Sequence, residues 1–312
     1  MLIPFGLAGV GVLGLAGWSA WAGRKAEEMV PADGRFVNVA GARLHVVELG
    51  PQDAAGPAIV MIHGLMGQLR NFSHSLTRHL AQDRRVILVD RPGWGHSHLT
   101  GARPDLAGQA RMIAELIESL RLEKPLVVGH SMGGAVALAL GVGHPEVPGA
   151  LALIAPLTQV VENPPAVFRG LMAPPAVRET LAWTIAVPMA VAFGPRNAAS
   201  VFAPDPVPAD FATAGGGALA ARSRAYQMGS FEVRMARDAM RALVPHYGAL
   251  RLPVAILYGR GDTVLDPALH GERTAAEIPG ATLTLIEGGH MLPVTHAAET
   301  EAWLREVFAR IG

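Results

Sequence analysis

The apolar residues of the chain fall into short runs from about residue 35 onward, and turn residues separate these runs. Two runs, at 36–39 and 44–49, flank an Ala-Gly-Ala turn and predict a β-hairpin. Six later runs are almost continuously apolar, and they lie at 58–62, 86–89, 126–128, 150–154, 254–258 and 282–286. Such runs are typical of strands that are covered on both faces, so the pattern predicts a sheet of about eight strands.

Helical spacing fills the gaps between these runs. Between residues 104 and 122 the apolar side chains recur every three or four positions, and Asp105 stands where a helix N-cap would lie. Strands that alternate with helices indicate a mostly parallel sheet with right-handed crossovers, and the hairpin indicates an antiparallel edge. The predicted fold class is therefore α/β.

One long stretch interrupts the alternation. Between about residues 157 and 250 no strand-like run occurs, prolines are frequent, and helical segments are expected. Both flanks of the stretch belong to one series of strands, so we interpret residues 157–250 as a helical cap, or lid, rather than a separate domain. The predicted core then consists of residues 30–156 and 251–312.

The N-terminal segment is uncharged from Leu2 to Ala22, and Arg24 and Lys25 follow it. A helix of this length reaches across about 30 Å of hydrocarbon, so residues 1–23 are interpreted as a transmembrane anchor. Two alternatives stay open, a signal peptide and a buried helix of the folded domain. The basic pair slightly favours the cytoplasmic face for the catalytic domain, whereas signal cleavage would give a secreted or periplasmic protein.

Composition excludes several classes of function. The 26 Lys and Arg residues balance the 26 Asp and Glu residues, so no electrostatic footprint for nucleic acid is present. The absence of cysteine removes disulfides, thiol nucleophiles and cysteine-ligated metals. His96 and His98 are spaced as a pair, but no further ligand stands at suitable spacing, so no metal site is expected.

A G-H-S-M-G motif at residues 129–133 directly follows one apolar run and precedes a helix-like segment. A sharp strand-to-helix turn strains the backbone of the central serine and requires small neighbours. This context predicts Ser131 as a nucleophile. It also predicts that the backbone N–H of Met132 faces the oxyanion that forms when a serine attacks a carbonyl.

Three further residues complete the predicted site. The motif H-G-L-M-G at residues 63–67 also follows a strand and predicts the N–H of Leu65 as the second oxyanion donor, with His63 supporting the loop. Asp262 follows the run at 254–258, and it is preferred over Asp266, which resembles a helix cap. His290 follows the run at 282–286 behind two glycines and is predicted to be the general base.

These motifs resemble the α/β-hydrolase superfamily, in the branch with H-G-x-x-G, G-H-S-M-G-G, D-R-P-G-x-G-x-S and G-G-H motifs. The third motif is residues 90–97 here, and the resemblance spans about residues 35–312. It implies a hydrolase without a cofactor and with a helical cap. Serine at position 131 argues against the epoxide hydrolases and haloalkane dehalogenases of this branch, which use aspartate there.

The expected activity is hydrolysis of carboxylic esters through an acyl-enzyme. Three alternatives stay open: a C–C bond hydrolase or a cofactor-free haloperoxidase or perhydrolase on the same triad, and a non-catalytic ligand-binding protein. An apolar cap indicates a lipophilic acyl group, and an anchor would favour membrane-derived esters. The predicted pocket residues are Met66, Trp94, Phe168, Met172, Trp183, Met189 and Phe193.

Overall fold

The computed structural model describes residues 3–311, with side chains from residue 11 to residue 310. Within these residues, nine strands form one sheet in the order β1-β2-β4-β3-β6-β7-β8-β9, and β5 pairs with β2. The strands are β1 (Arg35–Val39), β2 (Ala42–Leu49), β3 (Ile59–Ile62), β4 (Val86–Val89), β5 (His98–Leu99), β6 (Leu126–His130), β7 (Ala150–Ile154), β8 (Val254–Gly259) and β9 (Thr282–Ile286).

The pairing is parallel from β4 across to β9, and β2 joins β1, β4 and β5 antiparallel. The predicted α/β fold with an antiparallel edge is confirmed. Strand β5 was not predicted because its two residues are too short a run to show any periodicity.

Helices cover both faces of the sheet, because their apolar residues are buried against the strands. The helices are α1 (Ile3–Met29), α2 (Arg70–Ser73), α3 (Thr77–Asp83), α4 (Leu106–Ser119), α5 (Met132–Gly143), α6 (Pro175–Thr184), α7 (Ala186–Phe202), α8 (Ser223–Leu243), α9 (Arg273–Glu277), α10 (Leu292–Thr295) and α11 (Ala297–Ile311). Buried residues of α4 and α5 pack with one face of the strands. Those of α2, α3 and α11 pack with the other face. Alternate residues of β3, β4, β6, β7 and β8 therefore enter two separate apolar layers.

The chain between β7 and β8 contains α6, α7, α8 and three short 3₁₀ segments, and no strand lies in it. We call residues 157–250 the cap. Helix α8 presents a buried stripe towards the rest of the molecule, which includes Ala225, Met228, Gly229 and Glu232. That this cap acts as a lid over the core stays a prediction.

The N-terminal helix α1 runs through most of the predicted anchor, whose first two residues lie outside the described part of the chain. Its last turns carry charge and contact the cap: Ala26 packs with Leu219, and Glu27 lies 2.9 Å from Arg222. Among the described residues, no single helix is both long and apolar enough to cross a membrane. The predicted transmembrane anchor is therefore not supported, nor are the membrane partner and location inferred from it.

The close packing of α5 on strand β3 leads to a stability prediction for two glycines of the same helix. A Cβ atom on Gly133 would lie 2.0 Å from the carbonyl oxygen of Ile62, whereas a Cβ on Gly143 would meet nothing within 4 Å. We expect Gly133→Ala to lower the free energy of unfolding by at least about 2 kcal/mol, because a strand carbonyl cannot move aside.

The matched control, Gly143→Ala, should leave stability unchanged or raise it by up to about 1 kcal/mol. Urea denaturation of both variants measures the difference. Equal midpoints would contradict the packing described here.

Candidate active site

Ser131 lies in the turn between β6 and α5, and its backbone is strained. Its φ of 54° and ψ of −121° place a non-glycine residue in a sparsely populated region. Glycine is needed beside it, because a Cβ atom on Gly129 would lie 2.5 Å from the carbonyl oxygen of Gly133. The turn therefore has the form that the sequence predicts for a serine raised above the end of a strand.

The structure brings Ser131, His290 and Asp262 together. The Ser131 Oγ lies 3.0 Å from Nε2 of His290, and Nδ1 of the same ring lies 2.7 Å from Asp262 Oδ2. The hydroxyl can therefore donate to the imidazole while the imidazole donates to the carboxylate. All three side chains are buried, with Ser131 8% exposed. Neighbouring parallel strands end at one edge of the sheet, which explains how residues 159 positions apart in sequence meet.

Asp262 is held in its ionised form by its neighbours. Burial opposes ionisation, but the charge and the Nδ1–H of His290 and the backbone N–H groups of Leu265 and Val264 outweigh it, so the pKa of Asp262 is lowered. Both N–H groups donate to Oδ1, at 3.0 and 2.8 Å. The rival carboxylate, Asp266, instead accepts from the N–H of Ala268 at the start of a helical segment.

The predicted oxyanion donors border the same space. Leu65, Met132 and Ser131 all line one cavity, and a Cβ on Gly64 would lie 2.9 Å from Ser131 Cβ. Within residues 3–311, neither the Leu65 nor the Met132 backbone N–H donates to a protein acceptor. Two free N–H groups beside a serine are what an oxyanion requires. Their role in catalysis stays a prediction.

Two buried histidines beside the triad are held neutral. His63 donates from Nδ1 to the carbonyl of Gly64 (2.8 Å) and accepts at Nε2 from the N–H of Arg91 (3.0 Å). It therefore supports the loop at residues 63–67, which we call the oxyanion loop after its predicted role. Burial and the charge of Arg91 lower the pKa of His63 to about 3. His130 donates to the carbonyl of His290 (3.0 Å), and burial, followed by the charge of His290, lowers its pKa to about 3.

A cavity of about 320 Å³ opens at Ser131, within the size range of small-molecule sites. Its apolar lining includes Leu157 and Val161 and two of the predicted pocket residues, Phe168 and Met172. Charged residues that the sequence did not indicate also line it: Glu162, Arg234, Arg237 and Asp238. The cavity therefore combines apolar walls with a charged portion formed largely by α8.

The other five predicted pocket residues do not line this cavity. Trp94 is buried and donates to Glu232 (2.9 Å), and Met66 packs in the same small cluster against α8. Trp183, Met189 and Phe193 are 43%, 50% and 44% exposed. Apolar character was a poor guide because α6 and α7 carry apolar side chains on their outer surface as well.

The sequence did not predict two carboxylates that contact residues in or next to the site. Asp205 of the cap accepts from the N–H of Gly289 (2.9 Å), next to His290, and nothing in the Pro-Asp-Pro sequence around it points to this role. Glu232 is fully buried against Arg91. A signal for Glu232 exists, because it continues the three- and four-residue spacing of Ala225, Met228 and Gly229 along α8.

A family model described as "alpha/beta hydrolase fold" matches residues 57–297, which include the three triad positions. The chain is 39% identical over 119 residues to the dihydrolipoyllysine-residue acetyltransferase component of the acetoin cleaving system of Pseudomonas putida, covering 38% of this chain and 31% of that protein. It is 35% identical over 133 residues to the 2-hydroxy-6-oxononadienedioate/2-hydroxy-6-oxononatrienedioate hydrolase of Paraburkholderia phymatum, covering 39% and 44%. The chain therefore spans less than half the length of both relatives.

The magnesium-chelatase 30 kDa subunit of Rhodobacter capsulatus is matched more widely, at 30% identity over 257 residues, 79% of this chain and 84% of that protein. Among solved structures, a thermophilic esterase from Thermogutta terrifontis aligns with a TM-score of 0.69 over 89% of this chain and 99% of its own. Its identity is 19%, so this likeness shows the fold alone.

The buried histidines predict how stability depends on pH. The pKa of His63 and of His130 is lowered to about 3, and that of His270 to about 4, from 6.5. Below pH 6.5 these histidines are protonated in the unfolded chain but stay neutral in the folded chain. The folded state therefore loses stability as the pH falls towards the pKa values of the folded chain. As the pH falls from about 6 towards these folded pKa values, each histidine should lower the free energy of unfolding by at most about 1.4 kcal/mol per pH unit.

His270, which is not a member of the predicted triad, provides the test. Its Nδ1 accepts from the N–H groups of Thr158 and Gln159 (3.2 and 3.1 Å). The side-chain oxygen of an asparagine can accept these two hydrogen bonds, and an asparagine does not titrate. Urea midpoints at pH 7 and pH 5 should differ less in His270→Asn than in the wild type. The exposed His246→Gln variant should keep the wild-type difference. A His270→Asn variant whose midpoints at pH 7 and pH 5 differ as much as those of the wild type would contradict the prediction.

Proposed function

Because this chain belongs to the alpha/beta hydrolase fold family, we propose that it is a serine hydrolase of carboxylic esters, with Ser131, His290 and Asp262 as its triad. The observation that carries the proposal is the buried pair of hydrogen bonds from hydroxyl to imidazole (3.0 Å) and from imidazole to carboxylate (2.7 Å). This order of groups is the one that activates a serine nucleophile.

The proposed reaction follows from these contacts. His290 Nε2 accepts the Ser131 proton as Oγ attacks the ester carbonyl, and Asp262, whose pKa is lowered, stabilises the imidazolium. The N–H groups of Leu65 and Met132 stabilise the oxyanion. His290 then protonates the leaving alcohol, and an acyl-enzyme remains. Water, deprotonated by the same imidazole, releases the acid and regenerates the serine.

The substrate class is proposed from the cavity. Leu157, Val161, Phe168 and Met172 provide apolar walls next to Ser131, which favour an ester with a lipophilic acyl group. The charged side chains of α8 lie in the same cavity, and they favour a polar group elsewhere on the substrate. A purely structural role for the turn at Ser131 does not explain why its strained residue carries a hydroxyl within hydrogen-bond distance of an imidazole.

Hydrolysis of a C–C bond is the second candidate. It is favoured by the 35% identity with a protein named 2-hydroxy-6-oxononadienedioate/2-hydroxy-6-oxononatrienedioate hydrolase, over a matched part that is 39% of this chain. The same triad can serve both reactions, so a vinylogous diketone assayed beside esters decides between them. Faster turnover of the diketone by the wild type would replace the ester proposal.

A non-catalytic role is the alternative from another class. It is considered because the wide match is to a protein named as a subunit of magnesium chelatase, a name that does not state a hydrolase activity. In that case the cavity would bind a ligand without turning it over. Failure of the wild type both to hydrolyse esters and to react with a fluorophosphonate would support this role over the hydrolase.

Replacing Ser131 tests the nucleophile. Ser131→Ala should lower kcat/KM on p-nitrophenyl esters by about three orders of magnitude or more, because it removes the hydroxyl that hydrogen-bonds to His290. A fluorophosphonate should label the wild type and not this variant. Ser200→Ala, at an exposed position on α7, is the matched control and should keep full activity and labelling. Persistent turnover in Ser131→Ala would reject the assignment.

Phe168 and Trp183 test the acyl site as a pair. Phe168 lines the cavity, whereas Trp183 is 43% exposed and lies outside its lining. We expect Phe168→Ala to lower the ratio of kcat/KM for an octanoyl ester to that for an acetyl ester by about tenfold, because it removes apolar contact from the longer chain. Trp183→Ala should leave the ratio unchanged. The reverse result would place the acyl chain on the outer surface of the cap.

A further inference from the structure

A buried ion pair joins the cap to the core beside the predicted oxyanion hole. Arg91, two residues after the end of β4, places Nη1 2.6 Å from Oε1 of Glu232 and Nη2 3.0 Å from Oε2. Both side chains are fully buried. Two parallel bonds between a guanidinium and a carboxylate set the orientation of the guanidinium as well as its position.

Arg91 also contacts the oxyanion loop. Its Nε donates to the carbonyl of His63 (2.8 Å), and Nη2 donates to the carbonyl of Gly64 (3.0 Å). The Gly64 carbonyl also accepts from Nδ1 of His63 (2.8 Å). Three side-chain hydrogen bonds therefore hold two successive carbonyl groups of this loop, and the Gly64 carbonyl also accepts from the N–H of Gly67 (3.3 Å).

The Gly64 carbonyl and the Leu65 N–H belong to the same planar peptide unit. Because the peptide bond does not rotate, a bond that holds the carbonyl in one direction also holds the N–H in the opposite direction. Leu65 supplies one of the two proposed oxyanion donors. The direction of that donor is thus set in part by Arg91, a residue that does not border the cavity.

Glu232 is the only carboxylate that pairs with Arg91 within the described residues. Its Oε1 also accepts from Trp94 Nε1 (2.9 Å) and from Gln109 Nε2 (3.0 Å). Gln109 in turn accepts from Arg91 Nη1 (2.8 Å). Replacing a buried ion pair by apolar residues is often neutral for stability, so stability alone is a weak reason for this arrangement between a cap helix and a core loop.

We propose that Glu232 is a positioning residue through which the cap sets the oxyanion hole. Glu232 holds the Arg91 guanidinium, Arg91 holds the Gly64–Leu65 peptide, and that peptide presents the Leu65 N–H to the reacting carbonyl. The inference rests on the proposed hydrolase function. It adds that helix α8 must be in place for full oxyanion stabilisation, so the cap takes part in the chemical step as well as in substrate binding.

The test separates kcat from KM. Glu232→Gln keeps the shape of the side chain and removes its charge. We expect kcat on a p-nitrophenyl ester to fall by about 10- to 100-fold, with KM changed by less than about threefold, since the oxyanion exists only in the transition state. Affinity for a boronic acid that forms a tetrahedral adduct with Ser131 should fall by the same factor as kcat. Glu179→Gln, at an exposed position on α6, is the matched control and should change neither value.

A second variant covers the case in which Glu232→Gln leaves Arg91 unpaired and unfolds the protein. The double variant Arg91→Met/Glu232→Leu removes both charges and should remain folded, as judged by circular dichroism, yet show the same loss of kcat. A folded double variant with wild-type kcat would overturn the inference, as would a Glu232→Gln variant that changes KM alone. A wild type without any esterase activity or fluorophosphonate labelling would overturn the proposed function instead.

Discussion

Close backbone packing between the Ser131 turn and strand β3 is the constraint on which the site depends. Gly133 lies so near the carbonyl of Ile62 that no side chain fits between them. Helix α5 must therefore begin directly above the end of β6, and Ser131 adopts its strained conformation at that point. The carboxylate and the imidazole reach the hydroxyl from the ends of β8 and β9, because the parallel strands of the sheet end at the same edge.

The polar groups around this turn are buried, and each has a definite charge and partner. His63 and His130 stay neutral, Asp262 stays ionised, and Arg91 is paired with Glu232. In a buried site, fixed dipoles and charges act more strongly than they would in water. The arrangement therefore suits a reaction in which negative charge develops on a carbonyl oxygen above Ser131.

Predictions from apolar character were less reliable than predictions from motifs. Trp183, Met189 and Phe193 were expected in the pocket but lie on the outer surface of the cap, and the N-terminal apolar segment does not meet the requirements of a membrane span within the described residues. The hydrophobicity of a side chain favours its burial, but it does not identify the surface against which the side chain packs. The helical cap contributes most of these residues, and their placement could therefore be determined only from the tertiary structure.

Local sequence was sufficient for the α/β class and for the positions of Ser131, Asp262 and His290, because strand ends, glycine turns and the elbow motif are short-range features. The tertiary structure alone decided which carboxylate of the cap meets Arg91. Glu232 and Arg91 are 141 positions apart, and no local pattern records a contact that exists only when α8 packs on the core. The paired hydrogen bonds of the Glu232 carboxylate with the Arg91 guanidinium connect the cap to the loop at residues 63–67.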